Sequence, residues 1–323
     1  MLAHEWRDVS SAFLCRSKDI SIVNYRILNG AGMGILGMYT ENITIDRLLL
    51  KRDKLSHGVI ANVADAVHLI ACSGKILIKD SIIEGMVDDA LNIHSNYLEI
   101  EECDGNALKL FRHPMSHCVN AYFKLIGDGD RIDIHKGQTM AVRDEFIVRD
   151  VKVLDECHIE VTADREVDCL KGDLIENIST QPEVEIIGSV FAKANSHLRL
   201  QTRRKTTIEN CDISLPLLLT GDTNYWYESS PVNDLTISRC RFIGARGLIR
   251  SCPDFVPCEE APWYHENIRV CDNTFDHPLA FQASRTNGII FENNRCSDNS
   301  TELHIRLQDC GTLVTDEKTI VEK

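Results

Sequence analysis

Short apolar–x–apolar segments recur along the chain, each followed by polar turn residues and then by another apolar residue. Alternation of this kind is typical of short strands that bury one face. The segments are DISIVNYRI (19–27), NITIDRLLL (42–50), KILIKDSII (75–83), YLEIEECDG (97–105), EVEIIGSVF (183–191), KTTIENCDI (205–213), DLTISRCRF (234–242), NIRVCDNTF (267–275) and GIIFENNRC (288–296). The pattern predicts a repetitive, all-β chain.

The spacing of these segments predicts their arrangement. The third residues of the strands are Ile22, Ile45, Ile78, Ile100, Ile186, Ile208, Ile237, Val270 and Phe291, at steps of 23, 33, 22, 86, 22, 29, 33 and 21 residues. A step near 22 residues is too short and too β-rich for a crossover helix, whereas it suits one coil of a solenoid. We therefore predict a right-handed parallel β-helix in which these nine anchors form one inward-facing column.

The step of 86 residues is too long for a single coil. Most of its excess lies near 115–180, where alternating strands and Gly-Asp turns predict an inserted small β-barrel or sandwich. The predicted division is therefore 1–114 for the first part of the β-helix, 115–180 for the inserted module and 181–323 for the second part. The Asn and Asp residues just after the anchors are interpreted as turn residues.

Two segments one coil apart carry a group of acids. When VADAVHLI (63–70) is laid over VDDALNIH (87–94), Asp65 falls on Asp89, 24 residues later. Residues stacked on adjacent coils lie roughly 4.8 Å apart along the stacking direction. Asp88 is the extra carboxylate, and a bend or bulge in the strand would let it share the solvent face with the other two.

Clustered carboxylates repel one another, which raises the pKa of at least one of them and suits acid/base catalysis. Hydrogen-bonding and aromatic side chains that predict a sugar-binding pocket lie beside them or in the loop TGDTNYWYESS (220–230). These candidate substrate-binding residues are His68, Asn92, His94, Asp222, Asn224, Trp226 and Glu228. The alternatives for the acids are a calcium site or capped strand ends, although calcium usually takes a denser set of oxygen ligands.

Composition limits the partners. The net charge is −14 with no basic block, which argues against nucleic acid and other polyanions. No apolar run is long enough to span a membrane, and the first residues lack the pattern of a secretory signal.

Thirteen scattered cysteines predict mostly free thiols, with one or two disulfides at most. If the first coil begins near Asp19, its open edge needs a cover from residues 1–18 or from self-association.

The segments DAVHLIACSGKILIKDSIIEGMVDDALNIH (65–94), GDLIEN (172–177), LRLQTRRKTTIENCDI (198–213) and GDTNYWYESSPVNDLTISRCRF (221–242) resemble glycoside hydrolase family 110. The resemblance implies an exo-acting α-1,3-galactosidase with a right-handed parallel β-helix and additional β-barrel material. It also implies an inverting reaction without a metal or other cofactor, with Asp88 as general acid and Asp65 and Asp89 activating water. Family members have further N-terminal coils, so the chain resembles a shortened member.

Two other functions are compatible with the same residues. A polygalacturonase-like hydrolase shares the β-helix and an Asp plus Asp-Asp arrangement, although the chain lacks its Gly-His-Gly string and is too acidic for a polyanionic substrate. A non-catalytic, carbohydrate-binding β-helix would also carry aromatic and polar side chains in one groove. The predicted partner in either hydrolytic case is a glycan.

Overall fold

A computed structural model describes residues 9–53, 55, 60–113, 126–194, 197–223, 225–256 and 258–323. Successive short strands wind into three parallel sheets, so that a complete coil contributes one strand to each sheet. The first of these, sheet A, contains Ser10–Cys15, Met33–Met38, Val67–Ile70, the start of Leu91–Asp104, Leu198–Leu200, Leu217–Leu219, Ile249–Ser251, Leu279–Ser284, His304–Gln308 and Ile320–Glu322. The predicted fold class, a parallel β-helix, is confirmed.

The other two sheets complete the coils. Sheet B contains Lys18–Val23, Glu41–Asp46, Ser73–Lys79, Glu183–Ile187, Thr206–Glu209, Leu235–Ser238, His265–Cys271, Thr286–Glu292 and Leu313–Thr315. Sheet C contains Arg26–Ile27, Leu49–Leu50, Ile82–Glu84, Val190–Ala192, Asp212–Ile213, Arg241–Phe242, Thr274–Phe275 and Arg295–Cys296. Their inward-facing aliphatic and aromatic side chains pack with those of sheet A into one continuous core.

The anchor column is confirmed in sheet B with one correction. Eight of the nine predicted anchors pair directly from coil to coil, beginning with Ile22 on Ile45 and ending with Val270 on Phe291. Ile100 was wrongly included, because it pairs antiparallel with Leu110 in the inserted module. The coil is instead continued from Ile78 directly to Ile186.

A left-handed turn residue follows most of these anchors. Asn24, Asp80, Asn210 and Asn293 all have φ between 50° and 56°. Asn and Asp tolerate this region better than other residues with a Cβ, because their short polar side chains bond to neighbouring backbone. Their interpretation as turn residues is therefore confirmed.

The inserted module is a closed antiparallel barrel. The end of Leu91–Asp104 pairs both with Ala107–Phe111 and with Leu174–Asn177, and between them lie His158–Ala163, Val142–Val153 and Arg131–His135. A short 3₁₀ helix covers Gly137–Thr139. Since the barrel takes its first strand from the end of a β-helix strand, the two parts share backbone. The division at 114 and 180 stays a prediction.

The described residues also bear on the predictions about cysteines and membranes. A disulfide joins Cys103 to Cys169 in the barrel, and every other cysteine in the described ranges is free, within the predicted limit. Over those ranges the chain forms no helix long and apolar enough to cross a membrane. Self-association stays a prediction.

Stacked aromatic rings in the core give a test of the fold. Phe275 is fully buried, and its ring stacks on Phe242 with centroids 4.6 Å apart. We expect Phe275→Ala to lower the free energy of unfolding by about 3–5 kcal/mol, because removal of the ring leaves a cavity and abolishes its contacts with Phe242. The exposed control Val314→Ala should stay within about 0.5 kcal/mol. Equal urea midpoints for the two variants would contradict the core assignment.

Candidate active site

The candidate active site is a cleft on the outer face of sheet A. It is lined by Asp65, His68, Asp88, Asp89, Asn92, Arg199, Trp226 and Glu228. Parallel pairing aligns His68 with Asn92, and Asn92 with Arg199, so these side chains form a column across three coils. Their immediate neighbours Leu69 and Ile93 point inward and are buried in the core, as strand alternation requires.

The three predicted catalytic acids lie together at the edge of this column. The amide of Ala66 donates to the carbonyl of Asp89 at 2.9 Å, which sets Asp65 and Asp89 on adjacent coils. One carboxylate oxygen from each of Asp65, Asp88 and Asp89 lies within 4.8 Å of the other two. Asp65 and Asp89 are each only 5% exposed, while Asp88 is half-buried and more accessible.

Arg199 is the main cation beside the acids. Its Nε lies 2.9 Å from Oδ2 of Asp89, and its Nη1 lies 3.8 Å from Oε2 of Glu228. Burial acts to lower the pKa of Arg199, but the charges of Asp89 and Glu228 outweigh it and raise that pKa. The amide of His197 also donates to Oδ1 of Asp89 at 2.9 Å. Asp89 is therefore fixed as an ion-paired carboxylate.

A histidine pair lies behind the other acid. Nδ1 of His68 lies 2.6 Å from Oδ2 of Asp65, and its Nε2 lies 2.9 Å from Nε2 of His94. Burial acts to lower the pKa of His68, but the charge of Asp65 and the hydrogen bond to it raise that pKa overall. Burial lowers the pKa of His94, and the charge of His68 adds to this effect.

The loop 220–230 contributes an aromatic ring and a carboxylate to the cleft. Glu228–Ser229 pairs antiparallel with Ser95 and Asn96, and this places Glu228 where it accepts a hydrogen bond from Nδ2 of Asn92 at 3.2 Å. The carboxylate of Asp222 accepts the backbone amides of Tyr225 at 3.0 Å and Trp226 at 2.5 Å. Asp222 thus shapes the loop that carries Trp226.

The sequence-predicted residues differ in position. Asp65, Asp88, Asp89, His68, Asn92, Trp226 and Glu228 line the cleft. His94 lies behind it and contacts His68, and its Nε2 lies 3.5 Å from Oε1 of Glu228. Asp222 is not among the lining residues, and Asn224 lies outside the described residues. Their roles in substrate binding stay predictions.

Sequence reasoning missed Arg199 and misread Arg203. The alternation in LRL (198–200) was the available signal, because it puts Arg199 on the outer face, one coil after Asn92. In the sequence, RRK (203–205) has the composition of a solvated edge, but Arg203 does not lie on one. Its Nη2 lies 2.5 Å from Oε2 of Glu176, a fully buried carboxylate that also accepts a hydrogen bond from Nε2 of His135 at 3.2 Å.

Comparisons with known proteins agree with the geometry. The chain is 34% identical over 308 residues to α-1,3-galactosidase A of Bacteroides fragilis. This alignment covers 89% of this chain and 50% of that protein. It is 31% identical over 279 residues to α-1,3-galactosidase A of Akkermansia muciniphila, covering 84% of this chain and 46% of that protein. The chain is a relative of these α-1,3-galactosidases. The resemblance to glycoside hydrolase family 110 is thereby confirmed.

The other comparisons add little. The chain spans about half the length of the curated relatives it matches. No protein-family model matches it. Among solved structures, one match is the tailspike protein gp49 from Pseudomonas phage LKA1. The match covers 91% of this chain and 54% of the tailspike chain, at 11% identity and a TM-score of 0.29. Because that score is low, the tailspike carries no argument here.

The ion pairs of the cleft predict a measurable effect on stability. Arg199→Leu leaves Asp89 and Glu228 as buried carboxylates beside an apolar side chain, and loss of one partner from a buried pair costs about 3–5 kcal/mol. Adding Asp89→Asn removes one of these charges, so we expect the double variant to regain part of the loss in thermal melts at pH 7.

A matched control is available in the same column. Arg250 lies two coils from Arg199 on the same outer face and is exposed. Arg250→Leu should change the free energy of unfolding by about 0.5 kcal/mol or less. A double variant no more stable than Arg199→Leu alone would contradict the proposed charge balance.

Proposed function

We propose that this chain hydrolyses terminal α-1,3-linked galactose from glycans, with inversion and without a metal or other cofactor. The observation that carries the proposal is the cluster of three carboxylates in a cleft that also contains Trp226. Acid and base groups within one cleft are what glycoside hydrolysis requires, and an aromatic ring offers a surface for the C–H face of a sugar. The similarity to α-1,3-galactosidases supports the choice of substrate.

The proposed roles follow from charge and exposure. Asp89 lies beside Arg199, whose positive charge favours the ionised carboxylate, and Asp65 lies 2.6 Å from Nδ1 of His68. These two acids suit the role of base, in which they hold the attacking water between them. Asp88 is the most accessible of the three, and it suits the role of general acid at the glycosidic oxygen.

The separation of the acids bears on the stereochemistry. Inverting enzymes usually have acid and base carboxyl groups roughly 6.5–9.5 Å apart, which leaves room for the water. One carboxylate oxygen from each of Asp65, Asp88 and Asp89 lies within 4.8 Å of the others, which is closer than this separation. Inversion therefore requires Asp88 to turn outward when the galactose ring enters, a rotation that its partial exposure permits.

Metal independence is supported by Arg199, a cation that already lies beside the acids. A divalent ion held by Asp65, Asp88 and Asp89 would lie close to the guanidinium of Arg199, and like charges at such a distance repel. Calcium would also need oxygen ligands beyond these three side chains. We therefore expect turnover to be unchanged by a chelator.

The alternatives have weaker support. A polygalacturonase-like activity would bring substrate carboxylates against three acids and Glu228, with Arg199 as the cation lining the described part of this cleft. A non-catalytic binder would retain sugar affinity without turnover. Assays with p-nitrophenyl α-galactoside, α-1,3-galactobiose and polygalacturonate, each with and without chelator, distinguish the three functions.

Replacing the acids tests their roles. Asp88→Asn and Asp89→Asn should each lower kcat at least about a hundredfold with the fold intact, since acid/base groups contribute about that much or more. Asp150→Asn, on an exposed barrel position, is the matched control and should leave kcat unchanged. Near wild-type turnover in Asp88→Asn would refute its assignment as the acid.

The first product tests inversion separately. Attack of water on the face opposite the leaving group converts an α-galactoside to β-galactose. Proton NMR spectra taken during the first turnovers should show the β anomer before mutarotation equilibrates the sugar. Appearance of α-galactose first would indicate retention and would exclude the proposed pairing of acid and base.

A further inference from the structure

Four groups, two that line the cleft and two behind them, form a continuous chain of short polar contacts. Asp65 Oδ2 lies 2.6 Å from His68 Nδ1, and His68 Nε2 lies 2.9 Å from His94 Nε2. His94 Nδ1 in turn lies 2.6 Å from the carbonyl oxygen of Ser95. His68 and His94 are 1% and 3% exposed, so this chain is almost completely removed from water.

The contacts fix the number of protons. A carbonyl oxygen only accepts, so Nδ1 of His94 must carry a proton. Without a metal ion between His68, His94 and Glu228, one proton must also lie between the two Nε2 atoms, since two bare nitrogens repel at 2.9 Å and two N–H groups clash. The contact between Asp65 and His68 needs a third proton in the same way. Asp65, His68 and His94 together are therefore electrically neutral.

Three arrangements share this proton count. In the first, Asp65 is ionised, His68 is an imidazolium and His94 is neutral. In the second, Asp65 is protonated and both rings are neutral. In the third, Asp65 is ionised, His68 is neutral and His94 is the imidazolium.

The surrounding charges select the first arrangement. The groups that face His68 from the elements packed against it are Asp65, Asp89, Glu228 and Arg199, with Asp88 at the cleft edge. The carboxylates Asp65, Glu228 and Asp89 each raise the pKa of His68 against the effect of burial. For His94, burial dominates and lowers the pKa, and it outweighs the opposing charge of Glu228, whose Oε1 lies 3.5 Å from Nε2 of His94.

We propose that His68 and His94 are a positioning pair in which an imidazolium at His68 fixes the carboxylate of Asp65 in the resting protein. His68 is an imidazolium that donates Nδ1–H to Asp65 and Nε2–H to neutral His94. His94 is held in the tautomer that leaves its Nε2 bare, because its Nδ1–H donates to Ser95. The pair thus places a positive charge against Asp65 at the wall of the cleft.

This inference deepens the proposed function and rests on it only for its catalytic meaning. An ionised Asp65 can accept a proton from the attacking water, whereas a protonated one cannot. The imidazolium is present at low pH and is lost as pH rises through the raised pKa of His68. We therefore expect activity to fall on the alkaline side, because a neutral His68 holds the carboxylate of Asp65 less firmly than an imidazolium does.

Histidine NMR tests the pair without any substrate. In protein labelled with ¹⁵N-histidine, and with the His68 signals assigned by their loss in His68→Asn, we expect both ring nitrogens of His68 to stay protonated well above pH 6.5. Nε2 of His94 should be unprotonated over the same range. In Asp65→Asn, the titration of His68 should move to lower pH, since the carboxylate that stabilises the imidazolium is gone.

Each other outcome overturns the proposal. A neutral His68 at pH 6.5 would indicate either of the two rejected arrangements, and the protonation of His94 Nε2 would say which. An unchanged His68 titration in Asp65→Asn would show that Asp65 does not hold the charge. These results stand whether or not α-galactosides are hydrolysed, so failure of the pair is distinguishable from failure of the proposed function.

Matched variants of His94 connect the pair to catalysis. Gln at position 94 keeps an acceptor near the Nε2 position, so His94→Gln should keep the alkaline limb of kcat/KM within about threefold of wild type, whereas His94→Leu removes the acceptor and should lower kcat/KM at least about tenfold. His304→Gln, in the last coils, is the control for replacing a histidine elsewhere. Identical pH profiles for His94→Leu and wild type would contradict the positioning role.

Discussion

The backbone hydrogen bonds between successive coils set the polar column on which the cleft is built. They set His68, Asn92 and Arg199 side by side on sheet A, although Arg199 comes after the whole barrel in the sequence. Beneath them, Leu69, Ile93 and Leu200 occupy the buried face of the same strands. A slip of one residue in this register would exchange the polar column for the aliphatic one, so the core that stabilises the coils also holds the site in place.

Charge balance is the second constraint. Carboxylates that are almost completely buried are costly unless cations or hydrogen bonds compensate them. Asp89 has Arg199, Asp65 has the histidine pair, and Glu228 has Asn92 with Arg199 nearby. These contacts account for an acidic cluster that remains folded, and in our account they also divide the acids by role. The acid left most open to solvent, Asp88, is the one proposed to meet the substrate.

Much of the fold could be predicted because each coil of a β-helix repeats the same apolar pattern at a regular spacing in the sequence. The anchors were correct wherever a coil returns to sheet B, and the overlay that aligned Asp65 with Asp89 depends on the same period. Ile100 failed because its strand alternates like the others while it leaves the helix for the barrel. The local pattern of apolar and polar residues is the same in a strand that continues the β-helix and in one that enters the barrel, so it does not distinguish them.

The site was predictable only in part, for a related reason. Acids adjacent in one repeat stand out, whereas a partner contributed by a distant coil is visible only once the register is known. Arg199 looked like an ordinary polar residue between two leucines, and Arg203 looked like a solvated cation until its contact with buried Glu176 was seen. Asp222 had the right composition for a sugar site, but its carboxylate is used by its own loop.

The most direct test of the central claim is a crystal structure of the Asp88→Asn variant with α-1,3-galactobiose bound. The account predicts the terminal galactose in the cleft, with the side chain of residue 88 turned outward to within hydrogen-bond distance of the glycosidic oxygen. It also predicts a water on the opposite face of the anomeric carbon, held by Asp65 and Asp89. A disaccharide bound elsewhere, or an anomeric carbon in contact with a carboxylate and no water, would contradict the account.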